Sequence, residues 1–89
     1  MEKAIIVKFA IVGAGVNKLT LPKGAEILGV HGENRQALIM VQLDPNEQDR
    51  VERKFSLVAD GQEFVANQGF YLGSAHFDSY SSWHVFEEL

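Results

Sequence analysis

The sequence predicts an all-β fold, either a small antiparallel β-sandwich or a partly open barrel of six or seven strands. The 89 residues divide at turn residues into short apolar runs, spaced as the strands of such folds are spaced. No long segment repeats its apolar residues with the period of a helix, so a helical layer is not expected. Residues 83–89 form an aromatic strand that ends almost at the terminus, and so apolar a strand must pair within a sheet.

Four strands are predicted in the first half of the chain. They are residues 3–12, 17–21, 25–31 and 36–43. Turn residues separate them, among them Pro22-Lys23-Gly24, where proline presets φ and glycine tolerates a positive φ. The fourth run is apolar on both faces, which predicts a central place in a sheet or a contact between subunits.

The second half continues with three strands, residues 51–59, 70–77 and 82–88, and with an optional short strand at 62–65. Residues 44–51, between the halves, begin like a helix: Asp44 is an N-cap, Pro45 takes the first helical position and Glu47 follows the cap by three residues. The rest of that segment is polar, so we expect at most one short helix there. The alternation predicts a core that includes Ile5, Val7, Leu21, Ile27, Val41, Phe55, Leu57, Leu72, Phe77 and Val85.

Size, charge and composition restrict the classes of function. The chain has the length of one domain, predicted to span residues 1–89, and it has no cysteine for a disulfide or a thiolate site. The net charge of −4 argues against general nucleic-acid binding, which requires a basic surface. We see neither a signal peptide nor an apolar segment of ~20 residues, and we expect a cytoplasmic protein that binds no membrane.

Three arrangements are similar to known sites, and each has a plainer interpretation. Residues 11–15 begin like a dinucleotide fingerprint, but Lys18 replaces the third glycine, so we favour a hairpin link. His31, His76 and His84 lack the short spacing of metal ligands, and we predict neither a metal nor a cofactor. The last hairpin carries the residue types of a catalytic triad, which leaves as an alternative a small hydrolase that depends on serine and histidine or on a metal and uses His84 with Asp78 or a second histidine. Those residues are Asp78, Ser79, Ser81, Ser82 and His84.

A binding role is predicted for four residues. Aromatic side chains concentrate in the last twenty residues, and strand alternation leaves about half of them outside the core. Tyr71, Trp83 and the neighbouring His84 are therefore candidates to stack a base or another ring. Arg53 begins a strand beside apolar residues and is the candidate for an anion contact.

Two runs with apolar residues on both faces predict a homo-oligomer, with a dimer favoured. Ile6, Leu38 and Met40 lie on the faces that a single core does not cover. Monomers rarely expose a patch of this kind, and two-fold pairing is the simplest way of burying it. The alternative is a sandwich or barrel that covers both faces within one chain. If the chain pairs, the groove between subunits is the first place to look for a ligand.

Several segments follow one another in an order and at a spacing typical of a known group of proteins. They are Leu21–Val30, Ala37–Val41, Asp44-Pro45, Arg53-Lys54-Phe55, Phe70–Gly73 and Trp83–Glu87. Through them, residues 17–88 resemble a family of small uncharacterised proteins encoded by bacteriophages and prophages. The Leu-Pro-x-Gly-Ala-x-Ile-Leu turn and the terminal Trp-His-Val-Phe-Glu strand are the most specific parts.

The resemblance implies a context rather than an activity. Small accessory phage proteins often act against host defences, by binding a host defence protein or by sequestering a small anionic nucleotide signal, and we expect a function of this kind. A small virion component is the alternative. The chain departs from the family pattern at residues 58–61, where the pattern has a tighter glycine-rich turn, so no binding role is carried over to that loop.

Overall fold

Seven strands make up most of the computed structural model, which describes residues 3–13, 15–66, 69–77 and 81–88. They are β1 (Ile5–Ile11), β2 (Gly15–Pro22), β3 (Glu26–Glu33), β4 (Gln36–Leu43), β5 (Arg50–Ala59), β6 (Gly69–His76) and β7 (Ser82–Glu88). The described residues contain no helix, and so none that could cross a membrane. The predicted all-β class is therefore confirmed.

The strands form two antiparallel sheets. The three-stranded sheet has the order β1-β4-β3, and the four-stranded sheet has the order β2-β5-β7-β6. Both sheets are open rather than closed into a barrel, so the sandwich is the predicted alternative that the structure supports. β4, which is apolar on both faces, lies in the centre of its sheet as expected.

Local chemistry explains where the strands end. Asn34 and Arg35 have positive φ angles of 51° and 60°, the conformation of a tight two-residue turn, and they join β3 to β4. After β4, Asp44 Oδ1 accepts the backbone N–H of Asn46 at 2.9 Å, which closes a turn instead of starting a helix. The optional strand at 62–65 does not form either, because that segment folds back across the four-stranded sheet.

The core lies between the two sheets. Its buried residues are Ile11, Leu21, Ala25, Ala37, Ile39, Val41, Leu43, Phe55, Leu57, Ala75 and Val85. Five of the predicted core residues are among them, and four more, Val7, Ile27, Leu72 and Phe77, pack half-buried against them. The prediction for Ile5 is wrong. Its side chain is 46% exposed, because it begins β1, a strand at the edge of its sheet.

The two sheets approach most closely where β3 faces β6. A Cβ on Gly32 would lie 2.9 Å from the carbonyl oxygen of His76. A Cβ on Gly73, whose φ is +148°, would lie 3.2 Å from Cβ of Val30. Glycine at these two positions therefore allows β6 to pack this close to β3, most strictly at Gly32, where a Cβ would meet backbone.

Candidate binding face and hydrogen-bond chain

The outer face of the four-stranded sheet points away from the core. Most of the aromatic and polar side chains that could bind a partner or take part in chemistry lie on this face. The strand registers place two rows of residues on this face. The rows are Val16, Ser56, Phe86 and Tyr71, and next to them Val58, His84 and Ser74. Two of the predicted site residues, Tyr71 and His84, therefore lie side by side.

Residues 60–66 fold over this outer face. The Phe64 ring packs on the Phe86 ring at a centroid distance of 5.2 Å. Beneath the segment Val58 is only 7% exposed, although it points away from the core. The segment thus adds a second apolar contact layer to a face that strand alternation alone would leave open to water.

We call Phe64, Val65, Tyr71 and Phe86 the aromatic face. Tyr71 packs on the other side of Phe86, with ring centroids 5.3 Å apart and planes inclined by 59°. Phe64, Val65 and Tyr71 remain 54%, 65% and 56% exposed. A cavity of about 290 Å³ opens between this face and the loop at Asp60. The arrangement offers rings and an adjacent cleft to solvent.

A chain of hydrogen bonds runs beside the aromatic face. His84 Nε2 lies 2.5 Å from Asp60 Oδ1, and His84 Nδ1 lies 2.7 Å from the Ser74 hydroxyl. Ser74 in turn contacts the Tyr71 hydroxyl. We call Asp60, His84, Ser74 and Tyr71 the polar chain.

The donors and acceptors in the polar chain can be assigned. The carboxylate of Asp60 only accepts, so the hydrogen of a neutral His84 ring is on Nε2. Nδ1 then accepts the hydrogen of the Ser74 hydroxyl, and the Tyr71 hydroxyl donates to Ser74. The hydrogen bond from His84 holds the pKa of the Asp60 carboxyl below its ordinary value, with a smaller contribution from Ser82.

Arg53 lies on the opposite side of the sheet from the aromatic face. Its Nε and Nη2 donate to the two carboxylate oxygens of Glu87 at 2.6 Å and 2.7 Å, and its Nη1 donates to the Ala25 carbonyl at 2.5 Å. The hydrogen bonds to Glu87 raise the pKa of the Arg53 guanidinium. The guanidinium of Arg53, which is predicted to contact an anion, therefore already has partners within the chain.

Trp83 also lies away from Tyr71 and His84. It packs against the core, with its ring centroid 6.2 Å from that of Phe77. Of the four predicted binding residues, the structure brings Tyr71 and His84 together and places Arg53 and Trp83 elsewhere. A role in binding remains a prediction for each of them.

The residues predicted to contact a second copy share the outer face of the three-stranded sheet. The register sets Ile6 opposite Gln42 and Lys8 opposite Met40. Ile6 is exposed, and Leu38 and Met40 are half-buried. Contact with a second copy stays a prediction.

Sequence reasoning did not find Asp60, Phe64 and Ser74. The signal available was the Phe64-Val65 pair, which begins three residues after Gly61 and which the sequence pattern assigns to an optional strand at 62–65. For the hydrolase alternative, Asp78 and Ser79 lie outside the described residues. Ser82 Oγ lies 2.8 Å from His76 Nδ1.

Comparison with known proteins identifies a family. The pattern of a domain of unknown function, DUF7352, matches residues 1–89. The chain belongs to the DUF7352 family. Neither the curated proteins nor the solved structures include a match to it.

Within the part of the chain that the structure describes, no three His, Cys, Asp or Glu side chains are placed to hold a metal ion.

Proposed function

We propose that this DUF7352 member is a binding protein and that its aromatic face contacts a partner protein. The observation that carries the proposal is the exposure of Phe64, Val65 and Tyr71, each more than half accessible, around the ring of Phe86. Adjacent exposed apolar side chains of this size mark interaction sites on soluble proteins. Aromatic residues also dominate the energetic centres of protein interfaces.

The aromatic face is organised before any partner arrives. Phe86 contacts Phe64 on one side and Tyr71 on the other, at centroid distances of 5.2 Å and 5.3 Å. The Tyr71 hydroxyl is held by Ser74. Rings that are already fixed lose little conformational entropy on association, so more of the contact energy appears as affinity.

The surrounding charge favours a protein over a nucleic acid. The net charge is −4, and Asp60 and Glu88 lie beside the aromatic rings. Carboxylates at this position repel a phosphate backbone, whose binding depends on cations. The fitting partner is a protein surface with an apolar centre and a neutral or basic rim.

The biological setting of the proposal comes from the sequence resemblance. We propose a small accessory protein of phage type that acts in the host cytoplasm by binding a host protein, in the manner of a counter-defence factor. Sequestration of a nucleotide signal has less support, because Arg53, the predicted anion contact, already pairs with Glu87. A homo-oligomer formed through Ile6, Leu38 and Met40 would use the other sheet and leave the aromatic face free.

Site-directed photocrosslinking tests the proposal. A photoreactive phenylalanine at position 65 places the probe at the exposed edge of the aromatic face. In bacterial cytoplasm we expect a discrete crosslinked protein that Phe64→Ser with Tyr71→Ser removes. Leu28→Ser with Val51→Ser changes apolar residues of similar exposure elsewhere and should leave the crosslink intact. Crosslinks that survive the first pair of changes, or no discrete crosslink at all, would contradict the proposal.

A second candidate function, a small serine hydrolase, is favoured by the polar chain. Ser74, His84 and Asp60 have the donor order of a triad, in which serine donates to histidine and histidine to the carboxylate. Against it, Ser74 lies within strand β6 and also contacts Tyr71, whereas nucleophilic serines of α/β-hydrolases occupy sharp turns between a strand and a helix.

A fluorophosphonate probe separates the two candidates. A hydrolase would form a bond from Ser74 Oγ to phosphorus as fluoride leaves, and Ser74→Ala or His84→Ala would abolish the label. Ser56→Ala is the matched control, because the Ser56 hydroxyl donates to Glu88 and contacts no member of the polar chain. If the wild-type chain is not labelled at Ser74 under native conditions, the hydrolase candidate fails and the binding proposal is unaffected.

A further inference from the structure

We infer that a pocket at one end of the sandwich binds a small ligand made of a compact ring and one anionic group. We call it the end pocket. It is lined by Ile11, Arg35, Ala37, Leu57, Phe77 and Trp83, among others. It lies apart from the aromatic face, so this inference is independent of the proposed function.

The floor of the end pocket is apolar and rigid. Ile11, Ala37 and Leu57 are 2%, 1% and 6% exposed and belong to the core. Ile11 and Ala37 are opposite each other in the three-stranded sheet, and Leu57 comes from the other sheet. The pocket is therefore a gap between two packed layers, and the parts that form its floor are already in place.

One wall of the end pocket is aromatic. The rings of Phe77 and Trp83 lie 6.2 Å apart, with planes inclined by 37°. Both are half-buried, so each keeps part of its surface accessible. Aromatic walls favour a planar ring, which can stack or meet them edge to face.

The rim of the end pocket carries a cation. Arg35 is exposed in the turn between β3 and β4 and is one of the residues that line the pocket. Among the hydrogen bonds and ion pairs of the described residues, its guanidinium has none, in contrast to Arg53. A guanidinium with no partner among the described residues, beside an apolar gap, is suited to a carboxylate or phosphate.

The volume limits the ligand to a small one. The end pocket measures about 230 Å³. Pockets for drug-sized ligands span roughly 300–1,000 Å³, so a single ring with one charged group is the appropriate size. Phenyl phosphate combines both parts of the inferred ligand. Benzyl alcohol keeps the ring alone, and inorganic phosphate keeps the anion alone.

The test uses the chain's single tryptophan, which lines the end pocket. We expect phenyl phosphate to change Trp83 fluorescence saturably, benzyl alcohol to bind more weakly, and inorganic phosphate to have no saturable effect. Backbone NMR shifts at Ile11, Ala37 and Leu57 on titration would place the probe at the floor of the pocket.

The role of Arg35 is tested by substitution. Arg35→Gln should weaken phenyl phosphate binding about tenfold, the loss expected for one charge-assisted hydrogen bond, and leave benzyl alcohol binding unchanged. Arg50→Gln is the matched control, because it removes the same charge away from the pocket. Arg50 begins β5, and it lies seven residues before Leu57 on that strand. If phenyl phosphate gives no saturable change, or if both variants weaken it equally, the inference is overturned.

Discussion

Arg53 and Glu87 form a bidentate ion pair, with Nε 2.6 Å from one carboxylate oxygen and Nη2 2.7 Å from the other. The pair joins β5 to β7, which are neighbours in the four-stranded sheet. The remaining contact of the guanidinium, to the Ala25 carbonyl, reaches the residue just before β3 in the other sheet. One side chain therefore connects both sheets, which explains why a charged residue is kept half-buried next to the core.

We predict that Arg53→Ala destabilises the fold by about 3 kcal/mol, because it leaves a carboxylate and a carbonyl largely shielded from water without their donor. Arg53→Lys should restore only part of the lost stability, since an ammonium group lacks the two parallel N–H donors that bind both oxygens of Glu87. Urea unfolding of the two variants and of Glu87→Gln measures the effect. A change within about 0.5 kcal/mol for Arg53→Ala, the range of ordinary surface substitutions, would show that the pair has little structural role.

We predict that one of two glycine substitutions in β3 destabilises the fold and that the other has a smaller effect. Gly32→Ala should destabilise by about 1–3 kcal/mol, because the added methyl would lie 2.9 Å from the His76 carbonyl, a backbone atom that cannot move aside. Gly29→Ala is the matched control, since its methyl would meet only the flexible end of Met40. Thermal unfolding of both variants checks the prediction. Equal midpoints would mean that β3 and β6 are not held at this distance in solution.

We predict a pH-dependent contribution from Asp60. His84 binds the ionised carboxylate and lowers its pKa, so the stability that this contact adds is present above the ordinary value of 3.8 and is lost as pH falls through the depressed folded-state value. The difference in unfolding free energy between wild type and Asp60→Asn should therefore shrink on acidification. Asp49→Asn serves as the control. A difference that stays constant down to the acid limit of folding would argue against the His84 contact.

We predict that the chain self-associates through the outer face of the three-stranded sheet. Light scattering at high micromolar concentration should give a mass above the monomer. Leu38→Glu with Met40→Glu should give a folded monomer, because charges on this face cannot be buried in a pair. Val16→Glu, at an exposed position on β2 in the four-stranded sheet, should not change the mass. A monomeric wild type would exclude the predicted dimer.

The strands follow from local patterns. Alternating β-branched and aromatic residues between turn residues predict β4, β5 and β7 to within a residue or two at each end. The two-residue turn at Asn34 and Arg35 is equally local, because it is set by the backbone conformation of the residues that form it. Membership of an all-β class could be predicted for the same reason.

The tertiary structure decided which of these residues meet. Arg53 and Glu87 are 34 positions apart, and Asp60 and His84 are 24 apart, so no spacing in the sequence connects them. Their contacts depend on β7 pairing between β5 and β6, an order that alternation does not specify. The path of residues 60–66 is also a tertiary outcome: Phe64 packs on Phe86 because that outer face, apolar at Val58, has no other cover within the described chain. Local preferences act between near neighbours, whereas the candidate sites of this protein are made by contacts across strands.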